Sequence, residues 1–324
     1  MPIHDAGSAS DGLTVGLVVH PHKAVHNSVQ LIAEQARQHG FAVVGLEADA
    51  ERLGPQVAAL SRADFLDRVN ALVSLGGDGT MLGAMRLVAG RGVPVLGVNH
   101  GNLGFLVEVE PADLGPALDR IRGGDFTLEP HSCLDVETDG ETEEADLAKP
   151  LTAFNDLVVT SAQPWSALTV DLLVSGSRHG YYRCDALVAC TPTGSTAYNY
   201  AAGGPVVSPS TPSITLTPVA PMSGVSRSVV LGADDVVTLQ ATDGEALRIC
   251  ADGVRDANPD DRPSVTLRLR PDAVDVIRLD AGTHAQRSRV KLSLLDLPLR
   301  PDQLLELVPA PLREQAGRLR RPQD

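Results

Sequence analysis

The sequence predicts a two-part chain: an α/β N-terminal domain with a parallel sheet, followed by an all-β, sandwich-like C-terminal domain. Two observations predict it. Apolar strand-like runs alternate with helically spaced segments up to about residue 128, and from about residue 130 short β-rich runs follow one another between turn residues. The length of 324 residues, more than one typical core supports, agrees with two domains.

Each element follows from its local pattern. Residues 1–12 are polar, with Asp5 and Asp11, and read as a mobile leader without the basic start and apolar core of a signal peptide. Thr14–His20 is an apolar strand. Asn27–Gln38 has helical spacing (Val29, Ile32, Ala33, Ala36) and stops at Gly40, a C-cap residue. Phe41–Glu47, Ala71–Leu75 and Val93–Val98 are strands, with a helix over Thr80–Ala89 between the last two. Domain one is thus residues 13–128. The β-rich part, 129–283, carries strands at Leu134–Thr138, Leu157–Thr160, Leu168–Val174, Leu187–Cys190, Ile214–Pro218, Val236–Ala241, Leu247–Ala251, Val265–Leu269 and Val274–Leu279. Asp139–Pro150, with the charge run Glu141–Asp146, reads as a solvated loop. Residues 284–324 read as a segment packing back on the first domain, with a mobile tail.

Composition and charge exclude some function classes. With 43% hydrophobic and 21% charged residues the chain is that of a soluble globular protein, and no apolar run approaches the roughly 18 residues that span a bilayer. The net charge of −14 argues against nucleic-acid and anionic-membrane surfaces, which need a positive footprint. A phosphorylated ligand remains open, held by backbone amides, a cation and a few local arginines. Cys133, Cys184, Cys190 and Cys250 show no CxxC spacing and read as buried free thiols of a cytoplasmic protein. His20, His22 and His26 lack carboxylates at ligand spacing, so they read as loop histidines at a strand end or beside a phosphate cleft rather than as metal ligands. Trp165 reads as a packing or interface residue.

Two motifs carry the chemistry. Leu75-Gly76-Gly77-Asp78-Gly79-Thr80 follows a buried strand, at the sheet edge where α/β folds bind ligands. Gly76, Gly77 and Gly79 are free to take positive φ and leave no Cβ in the way of a phosphate. Thr80 is a candidate N-cap for a helix whose N-terminus favours an anion. Phosphate repels a bare carboxylate, so Asp78 is expected either to take a proton from an attacking hydroxyl or to orient a cation–phosphate. An ordinary β-turn has similar residues, but three glycines around one Asp between strand and helix point to function. The second motif, Thr191-Pro192-Thr193-Gly194-Ser195-Thr196-Ala197-Tyr198, offers hydroxyls and amides suited to the edges of a nucleotide. On spacing alone it reads equally as a Ser/Thr-rich loop with local side-chain bonds.

Thr191–Tyr198 followed by Ala202-Gly203-Gly204-Pro205, together with the glycine–aspartate turn, resembles the NAD kinase family. Gly97-Val98-Asn99-His100-Gly101-Asn102-Leu103-Gly104-Phe105-Leu106 looks like the family's glycine-rich segment, and Phe154-Asn155-Asp156 like its Asn-Glu/Asp motif. Arg183 and Asp185 stand where the family has a basic and an acidic residue. The resemblance covers about residues 14–280.

It implies the fold shared with diacylglycerol kinases and transfer of the ATP γ-phosphate to the 2′-hydroxyl of the adenosine ribose of NAD, giving NADP. Asp78 is implied as general base or metal-orienting carboxylate. Gly76, Gly77, Gly79 and Thr80 are implied around the phosphates, and Asn99 among the nucleotide-binding residues. Asn155 and Thr193 are implied to read the adenine and Asp156 to hold ribose hydroxyls. Arg183, Asp185, Thr196, Ala197, Tyr198 and Ala201 are implied to line the rest of the nucleotide site. Mg²⁺ or another divalent cation enters with ATP, polyphosphate stays open as donor, no residue is assigned as a dedicated metal ligand, and a homodimer or homotetramer is implied. The chain departs from the family pattern at Ala186, Ser166, Val254 and Met222 and after residue 283. A diacylglycerol-type lipid kinase and a catalytically weakened NAD-binding regulator are the alternatives. The threonine turn and the net charge disfavour the first.

Overall fold

The computed structural model describes residues 12–101, 106–138, 151–242, 245–255 and 263–280. The chain opens with alternating strands and helices: β1 (Thr14–Val19), α1 (His26–His39), β2 (Ala42–Leu46), α2 (Ala50–Leu53), β3 (Ala58–Leu60), α3 (Arg62–Arg68), β4 (Ala71–Gly76), α4 (Asp78–Val88), β5 (Val95–Asn99) and α5 (Leu114–Arg122). The strands pair in parallel in the order β5-β4-β1-β2-β3. α1 ends as its sequence indicates: Gly40 takes φ 74° and donates its N–H to the Ala36 carbonyl.

From residue 127 the pattern is antiparallel. The strands are β6 (Thr127–Thr138), β7 (Leu151–Ala153), β8 (Asp156–Ser161), β9 (Leu168–Val174), β10 (Ser177–Cys184) and β11 (Ala186–Cys190). A short helix α6 (Tyr198–Ala201) precedes β12 (Ser213–Val219), β13 (Ser223–Gly224), β14 (Val229–Gly232), β15 (Val237–Ala241), β16 (Leu247–Ala251), β17 (Val254–Arg255) and β18 (Ser264–Arg278). One sheet of this part runs β14-β12-β11-β8-β16-β17. The other is continuous with the parallel sheet, because β18 belongs to both. Its first half pairs with β15, its end runs parallel to β5 at Val276↔Val95, and β6 lies along its other edge throughout. The architecture is thus an α/β parallel-sheet part joined to an antiparallel β sandwich.

The two strands expected at Val265–Leu269 and Val274–Leu279 are one. Pro271 and Asp272 look like a turn, and Asp272 does take φ 51°. The β6 ladder continues past them with a register shift between Arg270 and Val274, so the break is a bulge.

Three cores follow. Val136, Leu157, Leu172, Tyr182, Leu216 and Leu267 belong to the core between the two β sheets. α1 and α5 cover one face of the parallel sheet, over Leu17, Val73 and Leu96. α3 and α4 cover the other, and there Phe154 from the β part joins Met81, Leu82 and Met85. Cys133, Cys184 and Cys190 are buried free thiols, and burial pushes them up to about 12, 11 and 12. Cys250 is half-buried. The Trp165 side chain is fully exposed among the described residues, at φ 65°, which corrects the packing half of the packing-or-interface expectation. No helix among the described residues is long and apolar enough to cross a membrane. Residues 1–11 of the leader, all of Asp139–Pro150 and residues 284–324 lie outside the described residues.

Candidate active site

Three loops meet at the C-terminal edge of the parallel sheet. The His20 N–H donates to the Leu75 carbonyl at 2.9 Å, and the His100 N–H to the Gly76 carbonyl at 2.7 Å. The ends of β1 and β5 are thereby fastened to the turn after β4. In that turn none of Gly76, Gly77 and Gly79 takes positive φ, contrary to expectation. Their lack of a side chain serves space instead. A Cβ on Gly76 would collide with the Thr80 side chain, whereas Gly79 faces open space. Thr80 does not cap the helix either. Gly77 occupies the N-cap, α4 begins at Asp78, and Thr80 lies within its first turn with its N–H on the Gly77 carbonyl at 3.0 Å.

Asp78 is half-buried in the first turn of α4, and its Oδ1 accepts the Leu106 N–H at 3.0 Å. Asn99 is buried and uses its amide to shape the β5 loop: Oδ1 accepts the Gly101 N–H at 3.0 Å and Nδ2 donates to Glu110 Oε1 at 3.1 Å.

Sequence reasoning missed Lys23. Its Nζ stands 3.7 Å from where a Cβ on Gly77 would lie, and a Cβ on Gly101 would collide with it. One ammonium therefore occupies the space between both glycine segments, and it has no ion-pair partner among the described residues. His20 and His100 flank it. Both rings are held below the ordinary imidazole pKa, first by burial, with the Lys23 charge adding to it. The signal for Lys23 is its place three residues after His20 at the strand end, masked by the histidines around it.

The second turn is built at the edge of the sandwich. Pro192 leads into a tight turn over Thr193–Thr196, and α6 follows. The buried Thr191 hydroxyl donates to the Phe154 carbonyl at 2.6 Å and accepts the Gly194 N–H at 3.0 Å, while the Thr191 N–H donates to the Asn155 carbonyl at 3.0 Å. Gly194 must be glycine because a Cβ would run into the Asn155 backbone. Ser195 is buried, its hydroxyl donating to the Pro192 carbonyl at 2.6 Å and accepting the Val207 N–H at 2.9 Å. Asn199 donates to the carbonyls of Ser195 and Pro205 at 3.0 and 2.9 Å and accepts from Thr217 at 2.7 Å. The Thr196 hydroxyl donates to the Thr193 carbonyl at 3.3 Å.

These bonds bring Asn155, Asp156, Thr193 and Thr196 together. Asn155 and Thr193 are half-buried, and their side chains make no hydrogen bond among the described residues. Ala197 is half-buried; Tyr198 and Ala201 are exposed beside them. Asp156 is 5% exposed. Burial, then the charge of Asp252, push its carboxyl up to about 6 against a stabilising N–H from Tyr198. Arg183 is exposed on β10 and Asp185 is exposed in the bend between β10 and β11, and among the described residues no side-chain hydrogen bond links either to the two turns. At the departures from the family pattern, the Ala186 methyl is buried in β11 opposite Val219, Val254 is 55% exposed, and Met222 donates its N–H to the Arg183 carbonyl at 2.7 Å.

The second missed residue is Asp252, whose side chain is fully buried. Its Oδ1 accepts the N–H groups of Asn155 at 2.7 Å and Asp156 at 3.2 Å, and its Oδ2 accepts that of Phe154 at 3.0 Å. Oδ2 also pairs with Arg86 of α4 at 2.6 Å. The loop bearing Asn155 and Asp156 is thereby fastened to the helix that Asp78 opens. Asp252 sits at φ 47° before Gly253, an ordinary turn signal that hides it.

An open glycine–aspartate turn on a parallel sheet, tied to a hydroxyl- and amide-rich turn on a β sandwich, defines a small-molecule kinase. Family models resolve the class further. One described as the ATP-NAD kinase N-terminal domain matches residues 15–126, and one described as the ATP-NAD kinase C-terminal domain matches residues 154–279. An NAD kinase of Gemmatimonas aurantiaca is 39% identical over 226 residues, covering 69% of this chain and 77% of that protein. An NAD kinase of Caldanaerobacter subterraneus is 32% identical over 79% of this chain and 89% of its own. The chain belongs to the NAD kinase family. Its fold matches yeast NADH kinase complexed with NADH at TM-score 0.75 and 20% identity, covering 90% of each chain. It also matches an Archaeoglobus fulgidus NAD kinase in complex with ATP at TM-score 0.65 and 22% identity, covering 87% of this chain and 99% of that one.

Proposed function

We infer that this chain is an ATP-dependent NAD kinase, transferring the γ-phosphate of ATP to the 2′-hydroxyl of the adenosine ribose of NAD to give NADP and ADP. The observation that carries the reading, beyond family membership, is the Asp252–Arg86 tie. It holds Asn155, whose side chain makes no hydrogen bond among the described residues, and the buried Asp156 in fixed relation to the helix that starts at Asp78. Asn155 and Thr193 read the adenine edge and Asp156 accepts ribose hydroxyls. Thr196, Ala197, Tyr198 and Ala201, with Arg183 and Asp185, line the remainder of the NAD site. The donor phosphates lie against Gly76, Gly77, Gly79 and Thr80, beside the loop shaped by Asn99, where the Lys23 ammonium meets their charge. Asp78 takes the proton from the 2′-hydroxyl as its oxygen attacks the γ-phosphorus and ADP departs.

Among the described residues no group of three or more His, Cys, Asp or Glu side chains comes together for a metal. Mg²⁺ would enter on the donor phosphates, and orienting it is the alternative role for the Asp78 carboxylate to that of base. Mg²⁺ bound to the donor supplies charge neutralisation on the phosphates. Inorganic polyphosphate offers the same phosphoryl chemistry as ATP. The same reading makes the protein a cytoplasmic homodimer or homotetramer, with the exposed Trp165 available to an interface; light scattering reads the oligomer.

The test is NADP formation from NAD and Mg²⁺-ATP, read by an NADP-specific dehydrogenase. Wild type makes NADP, and Asp78→Asn keeps its melting temperature and loses roughly 10²–10⁴ in turnover. NAD binding by a folded wild type that forms no NADP would instead mark a regulator.

A further inference from the structure

At the end of β18 a buried arginine meets two carboxylates, the buried Glu108 and the partly exposed Glu129. Arg278 is 3% exposed. Its Nε donates to Glu129 Oε2 at 2.6 Å, and its Nη1 lies 3.3 Å from Glu108 Oε2. The other Glu108 oxygen accepts the N–H groups of Leu279 and Asp280 at 3.2 and 3.3 Å. His131 Nε2 stands 3.1 Å from Glu129 Oε1. Burial alone would push the Glu129 carboxyl up, but His131 and Arg278 hold it well below the usual range. Burying such a cluster costs desolvation that an apolar residue of the same volume avoids, so stability alone is a poor account of it.

Its other contact gives a better one. Arg278 Nη1 donates to the Leu106 carbonyl at 2.9 Å, and the N–H of the same Leu106 donates to Asp78 Oδ1 at 3.0 Å. One residue thus takes a charge-assisted bond from the buried guanidinium and gives a bond to the carboxylate at the reacting centre. We propose that Arg278 is a positioning residue for phosphoryl transfer, holding Leu106 so that its N–H fixes the rotamer of Asp78. The inference rests on the NAD kinase reading. Arg278 touches neither turn; it acts through Leu106. Glu108 and Glu129 hold the guanidinium from two sides, and misplacing a reacting group by a fraction of a bond length is enough to slow chemistry.

The test is a double-mutant cycle on the full chain with Mg²⁺-ATP and NAD. Arg278→Lys keeps the charge between Glu108 and Glu129 but lacks the fork that also reaches the Leu106 carbonyl. Turnover is expected to fall about tenfold, the scale of one well-aligned hydrogen bond, with KM for NAD and for ATP within about twofold of wild type. In an Asp78→Asn background the same change is expected to alter turnover by less than about twofold, because the group being positioned is gone. Equal losses in both backgrounds, or a raised KM with unchanged turnover, overturn the inference. If Arg278→Lys does not fold, Glu129→Gln runs through the same cycle. It weakens one anchor of Arg278, with a loss of roughly threefold expected only when Asp78 is present. A folded wild type that makes no NADP removes the NAD kinase reading and this inference together. An active wild type with equal losses removes the inference alone.

Discussion

The turn at Gly76–Thr80 and the turn at Thr191–Tyr198 both follow a buried strand, but they hold their shapes differently. In the first, only Gly76 is hemmed in by a neighbour, and Gly79 faces open space. In the second, Thr191, Ser195 and Asn199 are buried with their side-chain bonds made, and Gly194 and Gly204 each have a neighbour where a Cβ would stand. A nucleotide base is read by a few directional bonds, so its receptor gains from being set during folding. Phosphates bring charge, water and a cation, so their cradle gains from open glycine and a nearby ammonium.

The tie between the turns is the strongest point at which to break this contrast. Asp252→Ala leaves Arg86 and three amides without their acceptor and is expected to cost about 3–5 kcal/mol in chemical denaturation. NAD affinity should fall further than ATP affinity, measured by calorimetry; equal losses would show that the clamp does not favour the reading turn.

Next in size is a matched pair of glycine changes. Gly194→Ala drives a methyl into the Asn155 backbone and is expected to cost about 1–3 kcal/mol and most NAD binding. Gly79→Ala adds a methyl toward open space inside α4 and is expected to raise stability by up to about 1 kcal/mol. Melting temperatures that move together would erase the difference between the turns.

The smallest effect is a pH dependence. Asp156 ionises at about 6, so a role for its carboxylate on ribose hydroxyls makes KM for NAD rise roughly tenfold between pH 7 and pH 5. Stability has the opposite sign. The folded protein holds this proton more tightly than the unfolded chain, whose group ionises near 3.8, so the unliganded protein loses stability as pH rises from about 4 to about 6. A KM flat across this window would take Asp156 off the ribose.

Much of this is legible in the residues. Leu168–Val174 and Leu247–Ala251 are strands over the ranges their alternation indicates, and Gly40 closes α1. The family, the fold class and the two turns are also readable. The reasons behind single residues are not. Gly76 and Gly194 suggest a need for backbone torsion, yet they serve close approach by Thr80 and Asn155, which only assembly reveals. Lys23, Asp252 and Arg278 act across sequence separations that no local pattern records: Arg278 reaches a carbonyl 172 residues away, and Asp252 reaches Arg86 166 residues away. The bulge in β18 is hidden because proline and aspartate signal a turn whether or not a neighbouring strand carries the ladder through it.

That strand also sets an order of assembly. β5 is the last strand of the parallel run, and in the finished protein its outer side is met by β18, which lies more than 160 residues later in the chain. Until Val276 arrives, a nascent N-terminal part carries an unpaired strand edge with apolar neighbours, the state in which chains add to one another. Closure of the first half thus waits for a strand near the far end of the second. The long loop this entails makes folding slow relative to helical proteins of the same size.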